Sequence, residues 1–296
     1  MIVSCVADGD LVGDRSAPLV PWWSVGKTSL AACALLLAAD GRLDLDRPAH
    51  RRGFTLRQLL QHTGGLDCYT ERSDYTSAVD RGEEPWSEQD LLASVDNAPP
   101  LFDPGQGWCY SNTGYFLVRR LIEQATGADI EAALKTLVFA PLGIANTRLA
   151  RDRADLRQCV WGHEDDFHPG WVYSGLLIGP AEDAAMFMHR LFTGALLPAS
   201  LHDVMRERRA LDVLPDRPWR SAGYGLGLMI DIASPLGLCI GHTGQGPDSV
   251  AAVYHFPDLD PPRTVAAFAP TDDQAVAECA VLEAAAAKPR WSSQAR

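Results

Sequence analysis

The spacing of apolar positions along this 296-residue chain changes several times, and each change predicts an element. Ile2 to Ala7 and Leu11 to Arg15 flank Asp8-Gly9-Asp10, which predicts a hairpin around a glycine-containing turn. Ser24 to Asp40 predicts a long apolar helix stopped by Gly41. Leu43 to Pro48 is a turn-rich exit, and Thr55 to Gln61 a short helix running into Gly64-Gly65. Cys68 to Pro100 is polar, with a helical patch from Ser87 to Val95; Ser87 is placed as its N-cap, with Asp90 three residues on. Asp103 to Gly107 reads as a loop. Tyr115, Phe116, Val118, Leu121 and Ile122 recur at helical spacing within Asn112 to Gln124, a helix stopped near Gly127. A second helix, Ile130 to Val138, ends before Pro141-Leu142-Gly143. Arg151 to Gly170 is loop-like, and Pro180 to Gly194 is helical. Strand patterns then dominate, at Gly225 to Ile232, Leu236 to Ile240, Ser249 to Phe256 and Thr264 to Ala269. An alanine-rich helix from Asp272 to Ala287 closes the pattern.

Strands at both ends of the chain with helices between them predict one α+β body, residues 1–60 and 171–296, interrupted by a helical insertion, residues 61–170. No internal repeat or low-complexity linker divides it.

Composition narrows the class. At 47% hydrophobic and 22% charged, the chain reads as an ordinary globular protein. Its net charge of −12 argues against a nucleic-acid partner. Arg206, Arg208 and Arg209 are read as a solvated helix face. No apolar run reaches the roughly 18 residues of a membrane-spanning helix. The N-terminal residues show no basic stretch followed by an apolar one, so a cytoplasmic location is expected. Seven scattered cysteines (5, 33, 68, 109, 159, 239 and 279) read as free thiols, with Cys33 and Cys239 as buried apolar fillers. His163, Glu164, Asp165, Asp166 and His168 crowd one loop. Their spacing fits no compact metal-ligand pattern, and a solvated acidic loop is expected. No phosphate loop or dinucleotide fingerprint is present, so no cofactor is expected. Trp22, Trp23, Trp108 and Trp171 are assigned to core or cleft wall.

Ser24-Val25-Gly26-Lys27 changes the picture most. A hydroxyl and an amine three residues apart at a helix start share one face. A serine hydroxyl is a weak nucleophile until a neighbouring base takes its proton, and a neutral lysine can be that base. The chain has three lysines (Lys27, Lys135 and Lys288) against 23 arginines. Arginine cannot act as a base near neutral pH, which singles Lys27 out. The spacing alone is weak evidence, since chance yields about 0.16 such pairs here. A helix N-terminus favours negative charge, and with burial it would lower the pKa of Lys27.

Two further elements add to this pair. In Tyr110-Ser111-Asn112, the tyrosine can pass protons and Asn112 can hydrogen-bond both a lysine and a substrate amide. The competing reading is a buried tyrosine followed by an asparagine helix cap. His-Thr-Gly occurs twice. The triplet at 62–64 follows a helix and reads as its terminus. His242-Thr243-Gly244 follows an apolar strand and can line a cleft; Gly244 permits close backbone approach, and the Gln245 N–H can face a developing oxyanion beside that of Ser24.

These elements, in this order, resemble the serine β-lactamase and penicillin-binding-protein superfamily. Tyr110-x-Asn112 is similar to the branch of class C β-lactamases, D,D-peptidases and type VIII carboxylesterases. Leu59-Leu60-Gln61-His62-Thr63-Gly64-Gly65-Leu66, Phe102-x-Pro104-Gly105, Pro141-Leu142-Gly143 and Tyr224-Gly225-Leu226-Gly227 match further landmarks. The resemblance covers roughly residues 20 to 270. It implies an antiparallel β-sheet flanked by helices with an inserted, mostly helical subdomain, all within a single β-lactamase-like domain. It also implies acylation of Ser24, with Lys27 and Tyr110 sharing base and acid work. Asn112 would position substrate, His242, Thr243 and Gly244 would line the site, and the amides of Ser24 and Gln245 would form an oxyanion hole. His242 stands where true β-lactamases carry lysine, which moves the expectation toward an ester, amide or D-amino-acid peptide substrate. Only 23 residues precede Ser24, so the N-terminal helix usual in the family is expected to be absent, and Gly26 is expected to loosen the first helical turn. The alternative function is a non-catalytic ligand-binding or sensor module on the same fold.

Overall fold

A computed structural model describes residues 1–12, 18–212 and 215–287. Eight antiparallel strands form the main sheet, in spatial order Asp10–Val12, Ile2–Ala7, Arg263–Ala269, Ser249–Phe256, Gly237–Gly246, Met229–Ser234, Ala222–Tyr224 and Arg209–Ala210. The predicted hairpin forms as Ile2–Ala7 paired with Asp10–Val12; residues 13–15 of that expectation lie outside the described residues.

The central strands read as nearly continuous apolar runs because both of their faces are covered. On Ser249–Phe256, Val250, Ala252, Tyr254 and Phe256 join Val265, Ala267 and Ala269 of the neighbouring strand under the helix Gln274–Ala286. Ala251 and Val253 face the opposite way with Ala266 and Phe268, toward the core shared with the helix Ala181–Thr193. The sequence alternates faces by one residue, as a pleated strand requires. Small side chains on sheet and C-terminal helix let the two approach closely.

The helix Gly26–Ala39 is the centre of the other core, with eleven of its fourteen residues buried. It packs against Asn112–Thr126, which is joined in turn by Leu56–Leu60 and Ile130–Leu134. A small second sheet, Leu19–Pro21, Leu177–Pro180 and Arg148–Leu149, leads the chain into the Ser24 turn. Sequence periodicity does not show this sheet, because its strands are two to four residues long and two contain proline.

Several expectations are adjusted. The first helix starts at Gly26 rather than Ser24, because Trp23–Val25 is a tighter 3-10 turn. The strand expected to stop at Ile240 continues to Gly246 and carries His242-Thr243-Gly244 within it. Residues 225–228 form a turn rather than strand, with the Gly225 N–H donating to Leu228 O. Arg206, Arg208 and Arg209 do not share a helix face: Arg206 caps Ala199–Met205, Arg208 donates to Ser221, and Arg209 lies on the edge strand. In the acidic loop, Asp166 pairs with Arg153 and Arg157, and Glu84 with Arg153. No helix among the described residues is long and apolar enough to cross a membrane, and all seven cysteines are free.

Candidate active site

The site is built around a backbone elbow. Trp23, immediately before Ser24, has φ +44°, a left-handed conformation that an aromatic residue adopts only when its surroundings hold it there. Its indole N–H donates to Ser249 Oγ at 2.7 Å, and its ring lies flat on Gly246, where a Cβ would meet it at 2.4 Å. Gly244 lies against the next bond: a Cβ there would sit 2.7 Å from Ser24 N and 2.9 Å from Trp22 O. The glycines at 244 and 246 thus let the strand run directly beside the elbow.

Ser24 is partly exposed, and Lys27 is buried behind it at 3% exposure. Lys27 Nζ lies 3.0 Å from Ser24 Oγ and donates to Asn112 Oδ1 at 2.7 Å. It also sits over the Tyr110 ring, 5.0 Å from the centroid, and the Tyr115 ring at 5.4 Å. Burial lowers the Lys27 pKa to about 7, opposed by the nearby Cys68 thiol. Burial holds the pKa of the Tyr110 phenol well above the usual value, only partly offset by the neighbouring Ser24. Burial therefore favours the neutral form of both groups, an unprotonated lysine beside a protonated phenol.

Asn112 is not the helix cap. Ser111 takes that role, its Oγ accepting the Gly114 N–H at 3.0 Å and donating to Asp67 O at 2.8 Å. This leaves Asn112 on the first turn with its amide facing Lys27; its Nδ2 donates to Thr70 Oγ1 at 3.1 Å, which fixes Oδ1 toward the lysine.

His242 and Thr243 need correction as cleft-lining side chains. His242 is fully buried. Its Nδ1 donates to Thr243 O at 2.7 Å, so Nε2 accepts the Tyr224 hydroxyl at 2.8 Å. Burial, with the Lys27 charge, depresses its pKa to about 3. It is a neutral imidazole with both nitrogens engaged, backing the Tyr110 ring at 6.4 Å. Thr243 points to the opposite face of the strand, where its hydroxyl donates to Glu278 and lies 2.8 Å from Tyr254 OH. The Gln245 side chain is tied to the start of the C-terminal helix, through Asp272 O and Gln274.

His62 is the residue that the sequence reading passed over. It does end a helix, whose start Thr55 and Gln58 close with a capping box. It also has φ +61° and is buried beneath the site, with its ring 4.3 Å from that of Tyr110. Its Nδ1 accepts the Ser111 N–H at 3.0 Å and its carbonyl accepts the Cys109 N–H at 3.0 Å, so it fixes the segment carrying Tyr110. The signal available was the repeat itself: two His-Thr-Gly triplets, one on each side of Tyr110.

The fold and the ordered site define a class, an antiparallel sheet presenting a serine–lysine–tyrosine cluster at a helix start. A match to the Beta-lactamase family extends over residues 7–288, and the chain belongs to that family. Penicillin-binding protein 4* of Bacillus subtilis (strain 168) is 25% identical over 298 residues, covering 88% of this chain and 63% of that protein. Esterase EstB of Burkholderia gladioli is 31% identical over 143 residues, 41% of this chain and 36% of that one. The chain thus spans between about a third and two thirds of these relatives' length. Among solved structures, a D-stereospecific amidohydrolase from Streptomyces sp. superposes with a TM-score of 0.79 at 27% identity, covering 95% of this chain and 92% of that one. A penicillin binding protein from Bacillus halodurans, at 18% identity, shares the fold with a TM-score of 0.76, covering 96% and 94%.

Proposed function

We propose that this chain is a serine hydrolase that cleaves an ester or amide through an acyl-enzyme on Ser24. The observation that carries this reading is Lys27 Nζ, 3.0 Å from Ser24 Oγ and buried enough to hold a pKa of about 7. Such a lysine is neutral in a large fraction of molecules at physiological pH and can accept the serine proton.

In the acylation step, Ser24 Oγ forms a bond to the substrate carbonyl carbon as its proton passes to Lys27. Negative charge then collects on the carbonyl oxygen, beside the backbone N–H groups of Ser24 and Gln245. Tyr110, protonated at rest, gives a proton to the departing alcohol or amine as the carbon–oxygen or carbon–nitrogen bond breaks, and Lys27 restores it. Water then attacks the acyl-enzyme by the same route and regenerates Ser24. Asn112 holds Lys27 in line and offers an amide to the substrate. The named relatives, an esterase and a D-stereospecific amidohydrolase, support an ester or a D-amino-acid amide as the substrate class.

Turnover of p-nitrophenyl esters, D-amino-acid amides, D-Ala-D-Ala peptides and nitrocefin by the intact protein and by Ser24→Ala tests this. Activity on at least one class, lost in the variant, is expected. Saturable binding with no turnover of any class would instead identify a ligand-binding module.

A further inference from the structure

One residue holds the segment carrying Tyr110 at three consecutive positions. The His62 carbonyl accepts the Cys109 N–H at 3.0 Å, its ring lies 4.3 Å from the Tyr110 ring, and its Nδ1 accepts the Ser111 N–H at 3.0 Å. The residues before and after the tyrosine are thus fastened to the same histidine, whose ring backs the phenol between them. The turn that follows extends this seat. Thr63 O accepts the Gly105 N–H at 2.7 Å, and Gly65 O accepts the Leu101 N–H at 3.0 Å.

The short helix Leu56–Leu60 ends here, and His62 has the left-handed φ of +61° common just past a helix. Glycine or asparagine meets that need, so the imidazole acceptor and ring are additional to it. Because Nδ1 accepts, the neutral imidazole carries its proton on Nε2. The ring sits among those of Tyr110, Tyr224, Tyr115 and Trp108, with centroids 4.3 to 6.0 Å away, and Nε2 has no hydrogen-bond partner among the described residues. The one polar tie of the imidazole is therefore the Ser111 N–H. Protonation would turn Nδ1 into a donor facing that N–H. Burial, and then the Lys27 charge, opposes it.

We infer that His62 is a positioning residue for proton transfer by Tyr110: by fastening both neighbours and backing the ring, it holds the phenol where a departing alcohol or amine can take its proton. This rests on the acyl-enzyme reading, in which Tyr110 is the donor, and adds the residue that aligns it. The consequence is selective. A departing nitrophenolate is stable without a proton, whereas a departing alkoxide or amine anion is not. Loss of alignment should slow the second kind far more than the first.

The test is a series of acetate esters that differ only in leaving group, from p-nitrophenol through phenol to a simple alkyl alcohol, with kcat/KM measured for the wild type and His62→Asn. Asparagine accepts the left-handed backbone and can offer Oδ1 to the Ser111 N–H, but it leaves no ring behind Tyr110. We expect the alkyl ester to lose about 10²-fold and the p-nitrophenyl ester less than about threefold, so the dependence on leaving-group basicity steepens. In a Tyr110→Phe background the same substitution should change that dependence no further, since no phenol is left to align. Equal losses across the series, or the same steepening with and without the phenol, overturn the proposal. His62→Gly keeps the backbone and removes both ring and acceptor. It takes the place of His62→Asn if that variant does not melt cooperatively. If neither folds, 15N NMR of the wild-type imidazoles decides. The proposal requires His62 to be neutral with its proton on Nε2 at pH 7, and an Nδ1–H tautomer or an imidazolium overturns it. Absence of both turnover and any adduct on Ser24 would remove the acyl-enzyme reading and this inference with it, whereas turnover with parallel losses removes this inference alone.

Discussion

At the scale of single residues, the account depends on which group holds a proton. Burial pushes two neighbours apart: Lys27 falls to about 7 while the Tyr110 phenol rises. This supports our proposal that the lysine is the base and the tyrosine the proton donor. A base that works when neutral loses activity as pH falls. The kcat/KM profile should have an acid limb with an apparent pKa of about 7 and a slope of one proton. A flat profile from about pH 5 to 9 would rule out Lys27 as base. Lys27→Arg keeps the charge but cannot deprotonate, and should lower kcat by about 10²- to 10⁴-fold. Ser24, Lys27, Tyr110 and Asn112 were legible because hydroxyl, amine, phenol and amide each announce a chemistry. The buried Arg217–Glu278 pair was not legible, because only the fold brings Arg217 across to the C-terminal helix from 61 residues away.

At the scale of elements, the long apolar strands and helices followed their patterns and the site departed from them. Ser249–Phe256 forms over the residues that its apolar run marks. The strand Gly237–Gly246 runs on past Ile240, where the apolar run ends, through glycines at 241, 244 and 246. Those at 244 and 246 are there because the Trp23–Ser24 elbow occupies the space a side chain would need. Gly244→Ala must push strand or elbow apart, since the obstacles are backbone atoms at 2.7 and 2.9 Å. We expect kcat/KM to fall by about 10²-fold, the effect of an approximately 1 Å misplacement of a nucleophile, with far-UV circular dichroism retained. Full activity in Gly244→Ala would show that the close approach has no role in placing Ser24.

At the scale of the whole molecule, the interior holds several neutral histidines. His62, His242 and His255 are almost wholly buried, and burial depresses all three, His242 and His255 to about 3. His255 shares the Thr264 hydroxyl with His189, which burial also lowers. In the unfolded chain each would titrate near 6.5, so between about pH 6.5 and 3 the unfolded state binds more protons. The stability they contribute is complete above 6.5 and is lost as pH falls through that window. Each fully depressed imidazole should remove about 2 kcal/mol between pH 6.5 and 5. Urea unfolding at pH 7 and 5 measures this, and His255→Gln should flatten the dependence. Equal midpoints at the two pH values would contradict buried neutral imidazoles. The α+β organisation was legible at this scale because strands cluster at the chain ends. The small sheet behind the elbow was not, its pairings being set by tertiary contact rather than by any run of residues.

The central claim is a covalent bond to Ser24. Intact-mass measurement after brief incubation with a p-nitrophenyl ester, followed by peptide mapping, tests it most directly. The account predicts the mass increase of one acyl group, located on Ser24 and absent from Ser24→Ala. Turnover with the acyl group on another residue, or an adduct that persists in Ser24→Ala, would contradict it.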